Sequence, residues 1–173
     1  MDRILQRMLR AAKLDAALYE EVEHDENATS EALVVVVLSS VAGGLGALMF
    51  GGLVPVVMGV LSGVLGWVAW SAVILLIGTR LFPDEGTHAD MGQLLRTMGY
   101  AQAPGLLRVA GIVPVLGWPV VFAANVWLIA TTVVAVRQAL DYRSTARAVA
   151  VVMIGWVAMI VVSFLLGGFA LLP

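Results

Sequence analysis

Only 13% of the 173 residues are charged, while 61% belong to the set AVILMFWYC, and the mean hydropathy is +0.97. A soluble domain needs about 25% charged residues to cover its surface, so much of this chain must be covered by lipid. A formal charge of -2 argues against a nucleic-acid partner, and the absence of cysteine excludes disulfides, thiolate metal sites and a cysteine nucleophile.

Residues Met1 to about Leu18 have the pattern of an amphipathic helix. Met1, Ile4, Leu5, Met8 and Ala12 share one face; Arg3, Gln6, Arg7, Arg10 and Lys13 share the other. Arg3, Arg7, Arg10 and Lys13 suit anionic lipid headgroups, with the apolar face in the membrane interface. The other reading packs this helix on the protein's own cytoplasmic side or on a partner. The segment lacks the apolar core and cleavage site of a signal peptide, so the first span is expected to act as an uncleaved insertion signal. From Asp15 to Glu31 the sign reverses, with seven acids and no Lys or Arg. His24 among them could hold a cation, but a solvated acidic linker fits the pattern better, and no metal or cofactor is expected. Residues 1–31 are thus expected to form a cytoplasmic helix and linker ahead of a membrane domain over 32–173, with Ser30 as the N-cap of the first span.

Five apolar segments follow, each measured against the roughly 20 residues that cross a bilayer core of about 30 Å. The first runs from about Ala32 to Phe50 and the second, after Gly51-Gly52, from about Val56 to Leu81. Gly43, Gly44 and Gly46 in one and Gly59, Gly63 and Gly66 in the other allow close backbone approach. They fit packing between these two spans better than self-association. A polar loop, Arg80 to Asp90, ends in Thr87 and Asp90, which resemble a capping box for a helix from Met91. That helix leads into the weakest segment, Met98–Val115, with Pro104, Pro114 and one charge, Arg108. The fourth span is expected over Trp118–Val136 and the fifth over Ala148–Leu172, separated by the polar loop Arg137–Arg147.

Basic residues near span ends stay on the cytoplasmic side. Five crossings put Arg3, Arg7, Arg10, Lys13, Arg80, Arg96, Arg137, Arg143 and Arg147 on one side and none at the turns opposite. The expected fold is therefore all-α, with five transmembrane helices, the N-terminus inside and the C-terminus outside. Arg108, Gln102 and Asn125 are the strongly polar side chains at depth. An intramembrane Arg costs about 2.5–3.5 kcal/mol on insertion scales. Either these residues line a polar cleft or contact a lipid phosphate, or Arg108 snorkels while the two amides bond between helices.

Gly99-Tyr100-Ala101-Gln102-Ala103-Pro104, preceded by MGQLLRTM, resembles the Yip family of membrane proteins, named for interaction with Ypt/Rab GTPases. Ile112-Val113-Pro114-Val115-Leu116-Gly117, Trp127, the stretch Val134 to Leu140 and Thr145-Ala146-Arg147-Ala148 are similar to its prokaryotic branch. The resemblance covers nearly the whole chain and implies a five-span helical domain with a cytoplasmic N-terminus. Its motif residues Gly99, Tyr100, Gln102, Pro104 and Pro114, with Arg108 and Asn125 from the reading of polar groups at depth, make up the expected motif and polar intramembrane cluster. Eukaryotic members act in vesicle traffic and carry a Tyr-Gly-Pro motif before the first span. Here that place reads ENATSEA, which puts Rab-type GTPase binding in doubt.

The expected role is interaction rather than catalysis: a membrane scaffold of the prokaryotic cytoplasmic membrane that binds lipids, other integral membrane proteins or itself. The alternatives are an accessory subunit of a larger complex, with Trp67, Trp70, Trp127 and Trp156 available for helix packing, and a small transporter or channel lined by Tyr100, Gln102, Arg108 and Asn125. An enzyme is not expected. His24 and His88 are the two imidazoles, and no Gly-rich phosphate loop, HExxH or GxSxG occurs.

Overall fold

A computed structural model describes residues 2–45, 52–113, 115 and 117–165, whose regular elements are all helical. Helix α1 runs over Asp2–Ala12 and α2 over Ala16–His24. The helix expected to reach Leu18 therefore breaks. Leu14 adopts a φ of 61°, and Asp15 caps α2 by accepting from Ala17 N at 3.1 Å. The acidic stretch is not a solvated linker. Leu18, Tyr19 and Val22 form a fully buried stripe on α2; Glu20 and Glu21 are exposed, while Glu23 is buried with the stripe.

Helix α3 covers Ala28–Leu45. It starts before the expected cap, and the Ser30 hydroxyl donates to Asn27 O at 3.0 Å within its first turn. Helix α4 covers Leu53–Leu76 and continues as a π-helical turn, Ile77–Leu81. Pro55 sits in the first turn of α4, where its missing N–H has no intrahelical partner to lose. Helix α5 covers Met91–Ala101, and its capping box lies three residues along from the expected one. Asp90 Oδ1 accepts from Gln93 N at 2.9 Å and Gln93 Oε1 accepts from Asp90 N at 2.7 Å. Thr87 instead closes the preceding turn, accepting from Asp84 N at 2.8 Å. Helices α6, Gly117–Ala139, and α7, Thr145–Leu165, complete the described chain.

Among the described residues, four helices are long and apolar enough to cross a membrane: α3, α4 with its π turn, α6 and α7. The segment Met98–Val115 is not one continuous helix. It starts in α5 and continues as a 3₁₀ segment over Ala103–Ile112, a length unusual for that conformation. Pro104 is the cause: it has no N–H, and its ring would meet the carbonyl of Tyr100 in an α-helix. Gly105 N turns back to Gln102 O at 2.8 Å. That leaves the carbonyl of Ala101 without its usual helical donor, and Thr131 Oγ of α6 donates to it at 2.8 Å.

The packing order is a ring. The 3₁₀ segment packs on α3 and α6, α3 on α4, α4 on α7, and α7 on α6. Helix α5 sits against α3, α4 and α6 at one end of the ring, and α2 packs on α5 and α6 outside it. The same end gathers the polar loops. Tyr142 Oη donates to Gly78 O at 3.1 Å or Phe82 O at 2.8 Å, Arg147 pairs with Asp84 at 3.0 Å, and Arg143 pairs with Glu85 at 3.1 Å.

Candidate functional site

Two polar constellations are built on this frame. The first lies where α1 and α2 dock on α3 and α5. Arg7 of α1 is buried and its guanidinium is divided among three carboxylates. Nη1 donates to Glu31 Oε2 at 2.8 Å, Nη2 to Glu21 Oε1 at 2.8 Å and to Asp25 Oδ2 at 2.9 Å. Arg3 also pairs with Glu31, and Arg10 bridges Asp15 and Glu21, each at 2.7 Å. Burial works against the Arg7 charge, but its bonds to Glu21, Asp25 and Glu31 outweigh it and raise its proton affinity. Arg7 in turn holds Asp25 below the usual carboxylate range, and Arg10 does so for Asp15.

The face proposed for lipid headgroups is thus turned largely inward. Arg7 and Arg10 meet the acids of residues 15–31, Arg3 reaches Glu31 from an exposed position, and Lys13 is exposed. Exposed instead on α1 are Leu5 and Leu9, one helical turn apart. A run of basic residues followed directly by a run of acids was the available signal for this pairing. Glu31, in the first turn of an apolar helix, was the residue to look for.

Tyr100 belongs to this constellation. Its ring is fully buried, and its hydroxyl donates to Glu31 Oε2 at 2.5 Å. Arg96, one turn earlier on α5, is also buried and donates Nε to Val22 O at 3.1 Å and to Glu23 O at 3.0 Å, gripping the C-terminal carbonyls of α2. Gly99 lies between these two, facing α3. A Cβ there would stand 3.1 Å from both Cα and O of Ala32.

The second constellation lies inside the ring, around a cavity of about 720 Å³. The 3₁₀ segment brings Arg108 to it and the end of α5 brings Gln102, while α6 contributes Asn125 and Thr132. Arg108 Nη2 donates to Asn125 Oδ1 at 2.8 Å. The Asn125 amide donates in turn to Val121 O at 2.9 Å, which fixes its oxygen toward the guanidinium. Small residues complete the lining, with Ser40, Gly43 and Gly44 on α3 and Gly59, Ser62 and Gly63 on α4. A Cβ at Gly43 would stand 3.6 Å from Arg108 Cδ, so the arginine stem lies along α3 at a glycine. Trp67, Trp70 and Trp156 give the cavity an aromatic side. Trp67 Nε1 donates to Leu95 O at 3.0 Å, and Trp70 meets Trp156 edge-on at 5.8 Å between centroids.

The structure therefore joins Gln102, Arg108 and Asn125 and separates Tyr100 from them. Pro104 is buried at the head of the 3₁₀ segment, and Pro114 lies outside the described residues. The serines and tryptophans of the cavity wall were not read as site residues, because Ser and Trp inside apolar helices give no spacing signal of their own. The tryptophans singled out for partner packing are used within the chain: Trp127 Nε1, for example, donates to Ala12 O at 2.8 Å.

Residues 17–166, from α2 through α7, match the Yip1 domain. The chain belongs to the Yip1 domain family. No match is found among curated proteins or solved structures. As a Yip-type chain with four apolar helices of membrane-crossing length, it is a multi-pass integral membrane protein. The family match begins within the segment read from sequence as a cytoplasmic linker, and so takes in the docked helix α2.

Proposed function

We propose that this Yip1-domain protein is a non-catalytic scaffold of the prokaryotic cytoplasmic membrane that crosses the bilayer five times and works by holding lipid in its central cavity. The observation that carries the binding role is the cavity itself, a space of about 720 Å³ ringed by apolar helices with a cation and two amides on its wall. Small-molecule sites are concave and mostly apolar, with a few converging polar groups. The arrangement favours lipid binding over transport because Tyr100, needed for a path through the motif, is engaged by Glu31.

Five crossings, with the N-terminus inside and the C-terminus outside, are supported by length and by neighbours. Eleven residues of α5 rise about 16 Å, and ten of the 3₁₀ segment rise about 20 Å, together enough for a hydrocarbon core of about 30 Å. Along that path Gly99 meets Ala32, Gly105 meets Ser39 and Arg108 meets Gly43, so the broken segment keeps pace with α3. The basic residues add the charge asymmetry expected of that topology.

The natural chain has no cysteine, so single cysteines report topology directly. Thr87→Cys and Ser144→Cys should label from the same side and Trp118→Cys from the other; labelling of the first two from opposite sides overturns five crossings. Digitonin extraction followed by native mass spectrometry should find lipid retained on the chain. A stoichiometric protein partner and no lipid would make the protein an accessory subunit instead.

A further inference from the structure

Arg108 is a charge without a counter-charge. All twelve Asp and Glu residues of the chain lie within residues 2–31, at 84, 85 and 90, and at 141. The described ones that pair with cations do so at the end of the ring where α1, α2 and the polar loops gather. Arg108 is instead half-buried and bonded to a neutral amide, Asn125 Oδ1. Asn125 is eight residues into α6, about 12 Å along its axis, well inside the length of a helix that crosses a membrane. A cation held at such depth marks a functional site and calls for a partner, and no Asp or Glu among the described residues pairs with it.

The partner's shape follows from the walls. Ser39, Ser40 and Thr132 bring hydroxyls and Gln102 an amide to the same space as Arg108, beside Ser62, whose own hydroxyl donates to Gly59 O at 3.2 Å. These groups can hydrogen-bond several oxygens of one anionic group, as a guanidinium and neutral donors do for phosphate. Beyond them the wall is apolar: Leu128, Ile129 and Met159 with Trp70 and Trp156. A bare anion would leave that surface uncovered. An uncharged lipid would leave Arg108 unpaired.

We infer that the cavity binds an anionic amphiphile, with a phosphate-bearing headgroup on Arg108 and Asn125 and part of an acyl chain against the tryptophan wall. This rests on the reading of the protein as a lipid-holding scaffold and adds the class of lipid and the residue that selects it. Phosphate chemistry has two sources, a membrane phospholipid or a free ion, and the lipid is the one that also fills the apolar wall.

The test is native mass spectrometry of the full chain after exchange into mixed micelles of phosphatidylglycerol and phosphatidylcholine. The natural chain should retain phosphatidylglycerol about tenfold or more over phosphatidylcholine, the range of one charge-assisted contact. Arg108→Gln should remove the preference, and Asn125→Ala should weaken it. Ser62→Trp, which fills the cavity, should lower retention of both lipids. Arg143→Gln, whose residue pairs with Glu85 at the surface, should change nothing. If Arg108→Gln does not fold, Asn125→Ala and Ser62→Trp still decide. Equal retention of the two lipids, or a preference that survives Arg108→Gln, overturns the inference while leaving a lipid-holding protein. Retention of neither lipid overturns both readings. Full displacement of phosphatidylglycerol by millimolar inorganic phosphate overturns the amphiphile in favour of a free anion.

Discussion

Glu31 Oε2 accepts from Tyr100 Oη at 2.5 Å and from Arg7 Nη1 at 2.8 Å. One oxygen of a buried carboxylate in α3 therefore ties α5 to the N-terminal helix. The two donors differ in consequence. Tyr100→Phe removes a hydrogen bond but leaves Glu31 paired with Arg7, a loss of about 1–2 kcal/mol. Arg7→Ala leaves Glu31 with exposed Arg3 and Glu21 with Arg10 as their remaining cations, and releases Asp25; breaking such a buried pair costs about 3–5 kcal/mol. Limited proteolysis of α1 and thermal unfolding in detergent should rank Arg7→Ala well above Tyr100→Phe, and the reverse order would sink this account.

Docking of α2 should depend on pH in two directions. Glu23 is buried, and its Oε2 has no hydrogen-bond partner. Desolvation, with Asp141 and Glu20 nearby, pushes its carboxyl up to about 7. The docked state then holds a proton that the undocked state releases near pH 4.5, so docking weakens as pH rises between those values and levels off above them, by about 3 kcal/mol in all. Asp15, Glu21 and Asp25 are shifted down by their arginines, so their contribution is full above about pH 4 and lost below it. Amide exchange of α2 should be slowest near about pH 4.5–5, where the acid limb has levelled off and the Glu23 limb begins, after correction for the intrinsic rate. Glu23→Gln should abolish the weakening toward pH 7 and leave the acid limb; a variant with an unchanged profile refutes the assignment.

The apolar helices were legible in the sequence because each repeats the same physical demand, a long run without charge. The start of α3 moved by a few residues because Ser30 was misjudged as its cap, whereas α5 starts at Met91 as expected but is capped by Asp90 and not by Thr87. Two things were not legible. The conversion of residues 103–112 to a 3₁₀ segment depends on Pro104 together with a donor from α6, Thr131, that is distant in sequence. The inward turn of the α1 arginines depends on which of two adjacent charged runs folds back on the other, and charge sign alone fits a headgroup as well as a carboxylate. Gln102, Arg108 and Asn125, grouped from the sequence as polar residues of apolar segments, line one cavity, whereas Tyr100 points toward the N-terminal helices, opposite to what its place in the motif suggests.

Gly99 tests the closeness of α5 to α3. A Cβ there would stand 2.6 Å from Ala32 Cβ and 3.1 Å from Ala32 backbone atoms. Gly99→Ala must push the two helices apart, with an overpacking cost of about 1–3 kcal/mol. Ala32→Gly in the same chain removes that near contact and should recover part of the loss, which a general helix-propensity effect would not allow. Thermal unfolding of the single and double variants measures the recovery, and strict additivity would argue against direct contact.

Thr131 tests why a proline-broken segment is tolerated against α6. Its hydroxyl reaches Ala101 O at 2.8 Å and, within its own helix, Leu128 O at 3.0 Å and Trp127 O at 3.2 Å. A hydroxyl has one proton to give, and the carbonyls of its own helix already have helical donors. The bond to Ala101 is the one whose loss leaves a buried group unsatisfied. Thr131→Val keeps the shape and removes the donor, so it should cost about 1–3 kcal/mol and speed amide exchange at Gly105. Thr131→Ser keeps the donor and should stay close to the natural chain in both measurements. If valine and serine behave alike, the carbonyl freed by Pro104 is not held by α6, and the 3₁₀ segment must owe its persistence to packing against α3 and α6 alone.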